Sequence, residues 1–326
     1  VTIRDEQAHE AASMYYLQGQ TMETIARHLG VSRSSVSRLL SYARDTGLVR
    51  ISVAAAPGHK GTLAGQISEI FGVQASVVPV HDVHTEVNRL HNVSLVAAER
   101  LVDILAPGAT LGIAWGNTTA EISRCMPRVS FPGSTVVQLN GAATATESGI
   151  PYADAIISRI AHSIGGRMVN FPVPAFFDYE DTKTALWRER SIRTVLKTID
   201  QCDIALFGVG SMSARLPSHV YSGGFLDPEE LAAVQRDGVV GDVCTFLIRE
   251  DGSTDMALNN RASGPSPDTL RAIPRRLCVV SGASKALPLL GALRARVVTD
   301  LVLDDGAARE LIELVRTRTT TARGAR

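Results

Sequence analysis

Aromatic residues make up only 5% of this 326-residue sequence, so its 45% hydrophobic content must build a core from leucine, valine, isoleucine and alanine. Net charge is absent too: 33 Lys+Arg balance 33 Asp+Glu, which excludes a polycation that coats nucleic acid without selectivity. Cysteine is scarce, and Cys125, Cys202, Cys244 and Cys278 lie far apart, with no CxxC pair and no secretory signal. Buried thiols in a reducing cytoplasm are therefore expected, not a disulfide framework. No apolar run reaches the length that spans a membrane, so no membrane partner is expected. His81, His84 and His91, with Glu86 nearby, lack a matching ligand pair elsewhere; they read as a solvated loop entering a helix, and no metal is expected. Lysine is rarest of the charges, with Lys60, Lys183, Lys197 and Lys285 alone.

What is present begins with TMETIARHLGVSRSSVSRLL at residues 21–40. Ile25 and Leu29 stand one helical turn apart, as do Val36 and Leu40, with Leu39 beside them, which puts an apolar stripe on each of two short helices. Ala26 is small where two crossing helices approach. Gly30 suits a turn that needs positive φ, and Ser32 suits an N-cap. Once Val36, Leu39 and Leu40 face inward, Ser32, Arg33, Ser34, Ser35, Ser37 and Arg38 remain outward, hydroxyls and forked cations fit for phosphates and base edges. The spacing predicts a helix-turn-helix that binds double-stranded DNA. Residues 32–50 carry Arg33, Arg38, Arg44 and Arg50 against Asp45 alone, whereas residues 1–31 are acidic on balance. Asp5–Gln18 reads as a supporting helix, Gly47 as a helix end, and Leu48–Val53 as a short strand of a wing.

Residues 54–62, AAAPGHKGT, mark a boundary. The division predicted is 1–55 for DNA binding, 56–62 for a linker, 63–318 for an effector domain and 319–326 for a flexible tail. Beyond the linker, continuous apolar runs alternate with helical patterns. Strands are predicted at Ala75–Val80, Thr110–Trp115, Ser134–Leu139, Arg167–Phe171, Ile204–Phe207, Leu277–Val280 and Arg296–Thr299. Runs without polar alternation imply a sheet covered on both faces, hence an α/β domain with a doubly wound, largely parallel sheet.

In such a sheet ligands bind where loops leave the strands' carboxyl ends. Gly116-Asn117-Thr118-Thr119, Asn140-Gly141-Ala142, Gly208-Val209-Gly210-Ser211 and Ser281-Gly282-Ala283-Ser284-Lys285 all fall there. Together they predict a phosphate-recognising crevice, with Lys285 as a compact point charge and Asp242 as an acceptor for sugar hydroxyls. An enzyme reading, a sugar-phosphate isomerase or acyl transferase with a DNA-binding extension, would need a base from Glu147, Asp154, Asp242 or Lys285. Nothing in the sequence pairs these, so no catalytic group and no cofactor is expected. A ligand-free architectural DNA binder would leave the crevice glycines unexplained.

The chain also resembles the SorC family of sugar-sensing bacterial transcription regulators over essentially its whole length. VSRLLSYARDTGLVRI, LGIAWGNTTAEI, VVQLNGAAT, FPVPAFF, IALFGVGSM, GVVGDVCTFLIREDG, NNRASG and SGASKALPLLGALRARVVTDLVLDDGAARELI occur in family order. The resemblance implies a fold related to sugar-phosphate isomerases and coenzyme A transferases, without catalysis, and a dimer or tetramer on operator DNA. It also implies a phosphorylated sugar or related effector, with Gly116, Thr118, Thr119 and Lys285 at the phosphate. Asn140, Gly141, Gly208, Gly210 and Asp242 would line the sugar. Asn117 stands where the family usually has a basic residue, Ala142 where it has a second glycine, and Ser281 where it has the first of two. The basic loss argues against a bisphosphate and leaves a monophosphate or a polyol.

Overall fold

The computed structural model describes residues 3–46, 48–49, 62–80, 85–143, 150–214 and 218–324. The chain divides into two compact units, residues 1–54 and 55–326.

In the first unit, α1 (Ile3–Ala12) continues into one wide π turn at Ser13–Leu17, followed by α2 (Met22–Leu29) and α3 (Arg33–Asp45). Thr21 Oγ1 accepts the Thr24 N–H at 3.2 Å to start α2. Gly30 ends that helix at φ +66°, the left-handed conformation its place in the turn demands. Ser32 Oγ accepts the Ser35 N–H at 3.1 Å and so caps α3. Ile25, Ala26, Val36, Leu39, Leu40 and Ala43 bury against Ala8, Ala11, Ala12 and Met14, a core of small and aliphatic groups from all three helices. Tyr42 donates its hydroxyl to Asp5 Oδ1 at 2.8 Å, tying α3 to α1. Leu48 and Val49 form a bend. Gly47 and the rest of the expected wing strand, Arg50–Val53, lie outside the described residues.

The second unit runs α4 (Leu63–Phe71), β1 (Gln74–Val78), α5 (Glu86–Ile104), β2 (Thr110–Ile113), α6 (Asn117–Cys125), β3 (Thr135–Gln138), α7 (Ile150–Ile164) and β4 (Arg167–Val169). It continues with α8 (Glu180–Leu186), α9 (Arg190–Asp200), β5 (Ile204–Phe207), α10 (His219–Ser222), α11 (Pro228–Arg236), β6 (Val239–Val243) and β7 (Phe246–Arg249). Last come α12 (Pro267–Ala272), β8 (Arg275–Val280), α13 (Ala286–Arg294), β9 (Asp300–Asp304) and α14 (Asp305–Gly324). Seven strands form one sheet in the order β1-β9-β8-β5-β2-β3-β4, every pair parallel, and β6 and β7 form an antiparallel hairpin.

The strands are apolar throughout because both faces are covered. Leu206, Leu277, Val279 and Val302 join the core with α5, α6 and α7, while Ala205, Phe207, Cys278, Val280, Leu301 and Leu303 join the core with α4, α9, α13 and α14. From β2 the chain steps outward through β3 and β4; from β5 it steps the other way through β8 and β9. The loops after β2 and β5 therefore diverge and leave a crevice between them.

Two expectations shift. The last strand is Asp300–Asp304, not Arg296–Thr299: Arg296 sits at φ +58° in the turn before it, and Val297 and Val298 are core residues of that turn. The last helix continues to Gly324, into the stretch 319–326 expected as a tail.

Candidate functional site

At the carboxyl ends of β2, β3, β5 and β8, a crevice is lined by Gly116, Asn117, Thr118, Thr119, Asn140, Gly208, Gly210, Asp242 and Lys285 among the residues singled out from sequence. Gly116 is the N-cap residue of α6 and has no side chain to cap it, so the first-turn N–H groups are left for whatever enters. Thr119 donates its hydroxyl to the Gly116 carbonyl at 3.1 Å, which holds the turn in shape. Gly208 lies against Thr118: a Cβ there would stand 3.5 Å from Thr118 Oγ1.

The β6–β7 hairpin closes one side. Gly210 and Asp242 form an isolated antiparallel bridge, the Gly210 N–H donating to the Asp242 carbonyl at 2.9 Å. A Cβ at Gly210 would come within 1.7 Å of Asp242 Oδ1, so glycine is required for this approach. Asp242 Oδ2 accepts the Thr245 N–H at 3.1 Å. Cys244 and Thr245 hold this tight turn at φ +52° and +70°, a conformation L residues adopt at a cost, and for β-branched Thr245 a marked one.

Charge is arranged unusually here. Asp242 is buried, and burial pushes its carboxyl up to about 6, against the Thr245 N–H, the Tyr221 hydroxyl and the Lys285 ammonium, which all pull it down. Lys285 is partly covered; loss of solvent pushes its pKa down, while Asp242, Cys278 and Glu86 pull it up. Among the described residues Lys285 forms no ion pair. Asp242 Oδ1 and Asn140 Oδ1 are buried and make no hydrogen bond of good geometry, the Tyr221 hydroxyl beside Asp242 being buried and unengaged as well. Two such acceptors in one crevice, beside an ammonium and an uncapped helix start, form a set complementary to hydroxyls and an anion.

Lys285 is placed through Asp304. That buried carboxylate, at the end of β9, accepts the Gly282 N–H at 2.5 Å and the Ala307 N–H at 2.9 Å, and takes Arg89 Nη1 at 3.2 Å. Gly282, at φ +98°, opens the turn that carries Lys285.

Gly141 and Ser211 do not line the crevice. A Cβ on Gly141 would lie 2.2 Å from the Val173 carbonyl oxygen and 2.3 Å from that of Pro174, so glycine there serves close backbone packing. Its carbonyl accepts the Trp115 indole N–H at 2.8 Å, which fixes the floor. Ser211 is fully buried and its hydroxyl faces Ser213 Oγ at 3.3 Å. Of the groups named for an enzyme, Asp154 is held by Asn170 Nδ2 at 3.1 Å away from the crevice lining, and Glu147 lies outside the described residues.

Sequence reasoning missed His219, Ser218, Trp115 and Thr245 in the lining. His219 Nε2 lies 3.0 Å from Asn117 Oδ1. That oxygen only accepts, so Nε2 donates and Nδ1 is left for a ligand. The Tyr152 ring tilts onto His219 at 5.2 Å, and Trp115 stacks on Phe225 at 5.1 Å. Asn117 thus holds an imidazole at this corner of the crevice.

In the first unit, Ser32, Arg33, Ser34, Ser37 and Arg38 are exposed on one side of α3, and Ser35 is half-buried. Ser32 Oγ is occupied by the cap and by Ser34 and Ser35 hydroxyls at 2.8 and 2.9 Å. Arg38 folds back along its own helix, its Nη2 3.4 Å from Ser35 Oγ.

Residues 57–313 match the family model described as "Putative sugar-binding domain", and residues 5–46 match sigma-70 region 4. The chain belongs to the SorC family of sugar-binding transcriptional regulators. It is 29% identical to the deoxyribonucleoside regulator of Bacillus subtilis over 93% of this chain and 96% of that protein. To the sorbitol operon regulator of Klebsiella pneumoniae it is 25% identical, over 93% and 96% respectively. Among solved structures, a domain of a possible sugar-binding transcriptional regulator from Arthrobacter aurescens is 43% identical, with a TM-score of 0.73 over 80% of this chain and all of that one. The full-length Klebsiella pneumoniae sorbitol operon regulator shares the fold, with a TM-score of 0.74 over 95% of this chain and 99% of that one. The chain is thus a DNA-binding regulator with a sugar effector, as its two matched regions and its relatives indicate. Among the described residues no helix is long and apolar enough to cross a membrane.

Proposed function

We propose that the crevice takes a phosphorylated sugar or polyol and that its occupancy sets the affinity of α3 for operator DNA upstream of carbohydrate catabolism. The observation that carries this reading is the pair of buried, unpartnered acceptors, Asn140 Oδ1 and Asp242 Oδ1, facing the same space as Lys285 and the uncapped start of α6. Ligand hydroxyls satisfy the acceptors; a phosphate takes the helix N–H groups and the ammonium together. A carboxylate next to the phosphate would repel it, so Asp242 serves the uncharged end. Among the described residues no second carboxylate joins Asp242 in the lining, and the relatives are named as regulators, which supports sensing rather than turnover.

On the DNA side, Arg33, Arg38, Ser34 and Ser37 present a polar, cationic face to a major groove. One helix of this length reads too few base pairs for selectivity, so a homodimer or homotetramer is the binding unit. The domain limits proposed from sequence, 1–55 and 63–318, apportion these two tasks. The ligand switches the regulator only if it binds the DNA-competent and incompetent states unequally.

Calorimetry on the full chain with triose, pentose, hexose and polyol phosphates, each against its dephosphorylated form, tests the proposal. Lys285→Met should cost a phosphorylated ligand about tenfold or more in affinity and leave the dephosphorylated form little changed. Equal binding of both forms by the native chain, or an unchanged Kd in the variant, would overturn the phosphate assignment.

A further inference from the structure

Toward the far end of α6 from the crevice, three metal-ligating side chains converge that the effector reading does not use. We propose that His91, Glu121 and Cys125 form a zinc site clamping α5 to α6. Glu121 and Cys125 are four residues apart on α6 and share a face, and His91 reaches them from α5. One ligand atom from each lies within 4.8 Å of the others. His91 Nδ1 stands 2.8 Å from Glu121 Oε1 and 3.8 Å from Cys125 Sγ.

Those spacings are close to what tetrahedral zinc imposes. Bond lengths of about 2.3 Å to sulfur and about 2.0–2.1 Å to nitrogen and oxygen place N and S about 3.5 Å apart and N and O about 3.4 Å apart. The first needs a contraction of a few tenths of an ångström; the second needs the His91–Glu121 hydrogen bond to open by a little more. His91 is half exposed, so solvent reaches the fourth position. Arg124 Nη1 takes Oε2 at 2.9 Å, which fixes the carboxylate and leaves Oε1 for the metal.

The donor set decides the ion. A thiolate with an imidazole excludes calcium and magnesium, which require oxygen, and the carboxylate is a poor ligand for monovalent copper. Thiolate and carboxylate together neutralise a divalent cation, and binding releases the thiol proton. Because α6 begins at Asn117, Thr118 and Thr119, the ion would stiffen the helix whose free N–H groups face the crevice. Zinc and effector are then coupled through one rigid element.

Cobalt(II) titrated into reduced, metal-stripped full-length protein is the probe. One equivalent should bind with intense tetrahedral bands and a thiolate-to-cobalt charge-transfer band, and zinc should displace it. His91→Gln alters a half-exposed side chain and leaves the fold intact by circular dichroism; it should weaken cobalt about tenfold or more. Cys125→Ser should remove the charge-transfer band. No charge-transfer band in the native protein, or cobalt affinity unchanged in His91→Gln, would overturn the site. So would a band that persists in folded Cys125→Ser.

Discussion

Asp242→Asn should stabilise the ligand-free protein at neutral pH while making it a poorer judge of ligands. Burial in the crevice strips solvent from the charged form and pushes the native carboxyl up to about 6 from its ordinary 3.8. Between those two pH values the folded chain binds more protons at this site than the unfolded chain. The group's favourable contribution is therefore complete at acid pH, falls as pH rises through 6, and stays low above it. At about 1.4 kcal/mol per unit the shift corresponds to roughly 3 kcal/mol, an upper bound with the Lys285 attraction already included. Asparagine keeps an oxygen for the Thr245 N–H and presents an amide where Oδ1 has no partner. Urea unfolding followed by tryptophan fluorescence is the assay, since Trp115 and Trp187 both belong to the second unit and report on it alone. The advantage of the variant should be absent near pH 4 and grow to about 1–3 kcal/mol by pH 7.5. A variant no more stable at pH 7.5 than at pH 4, relative to the native chain, would refute the reasoning.

Gly141→Ala should destabilise by about 3 kcal/mol in the same assay, because the added Cβ meets two backbone carbonyl oxygens that cannot yield. Asp304→Asn should cost about 2 kcal/mol and also weaken a phosphorylated ligand in calorimetry, since the turn before Lys285 hangs on that carboxylate. The double variant Arg33→Ala/Arg38→Ala should reduce operator affinity about tenfold or more and flatten its salt dependence by roughly two counterions, with effector binding unchanged.

The sheet was legible where burial on both faces demands unbroken apolar runs, and Ile204–Phe207 was placed to the residue. It failed at β9, where Asp300 and Asp304 flank only three apolar residues. Carboxylates normally end a buried strand, but Asp300 is met by Arg100 and Arg275, and Asp304 by Arg89 and two backbone N–H groups. Apart from the Ala307 N–H, such partners come from distant elements and leave no local pattern. The crevice loops were readable because glycine and hydroxyl residues follow predicted strands. Gly141 shows the ambiguity of that signal, since the same residue type serves backbone packing. His219 was invisible for another reason: it lies on a four-residue helix between loops, with no periodicity to place it beside Asn117. His91 could be compared only with its neighbours in the chain, whereas Glu121 and Cys125 come from the next helix.

The strand order also constrains how the protein is made. β1, near the start of the second unit, pairs on its inner side with β9, so Gln74 must wait for Asp300 to be synthesised before its register exists. Until then the growing chain presents an unsatisfied hydrogen-bonding edge and an uncovered apolar helix, α4, to its surroundings. Vectorial synthesis can complete the first unit early, but the second closes only at its end. A nonsense codon between the end of the first unit and residue 304 would release not a shortened sensor but an aggregation-prone fragment still able to carry an intact DNA-reading helix.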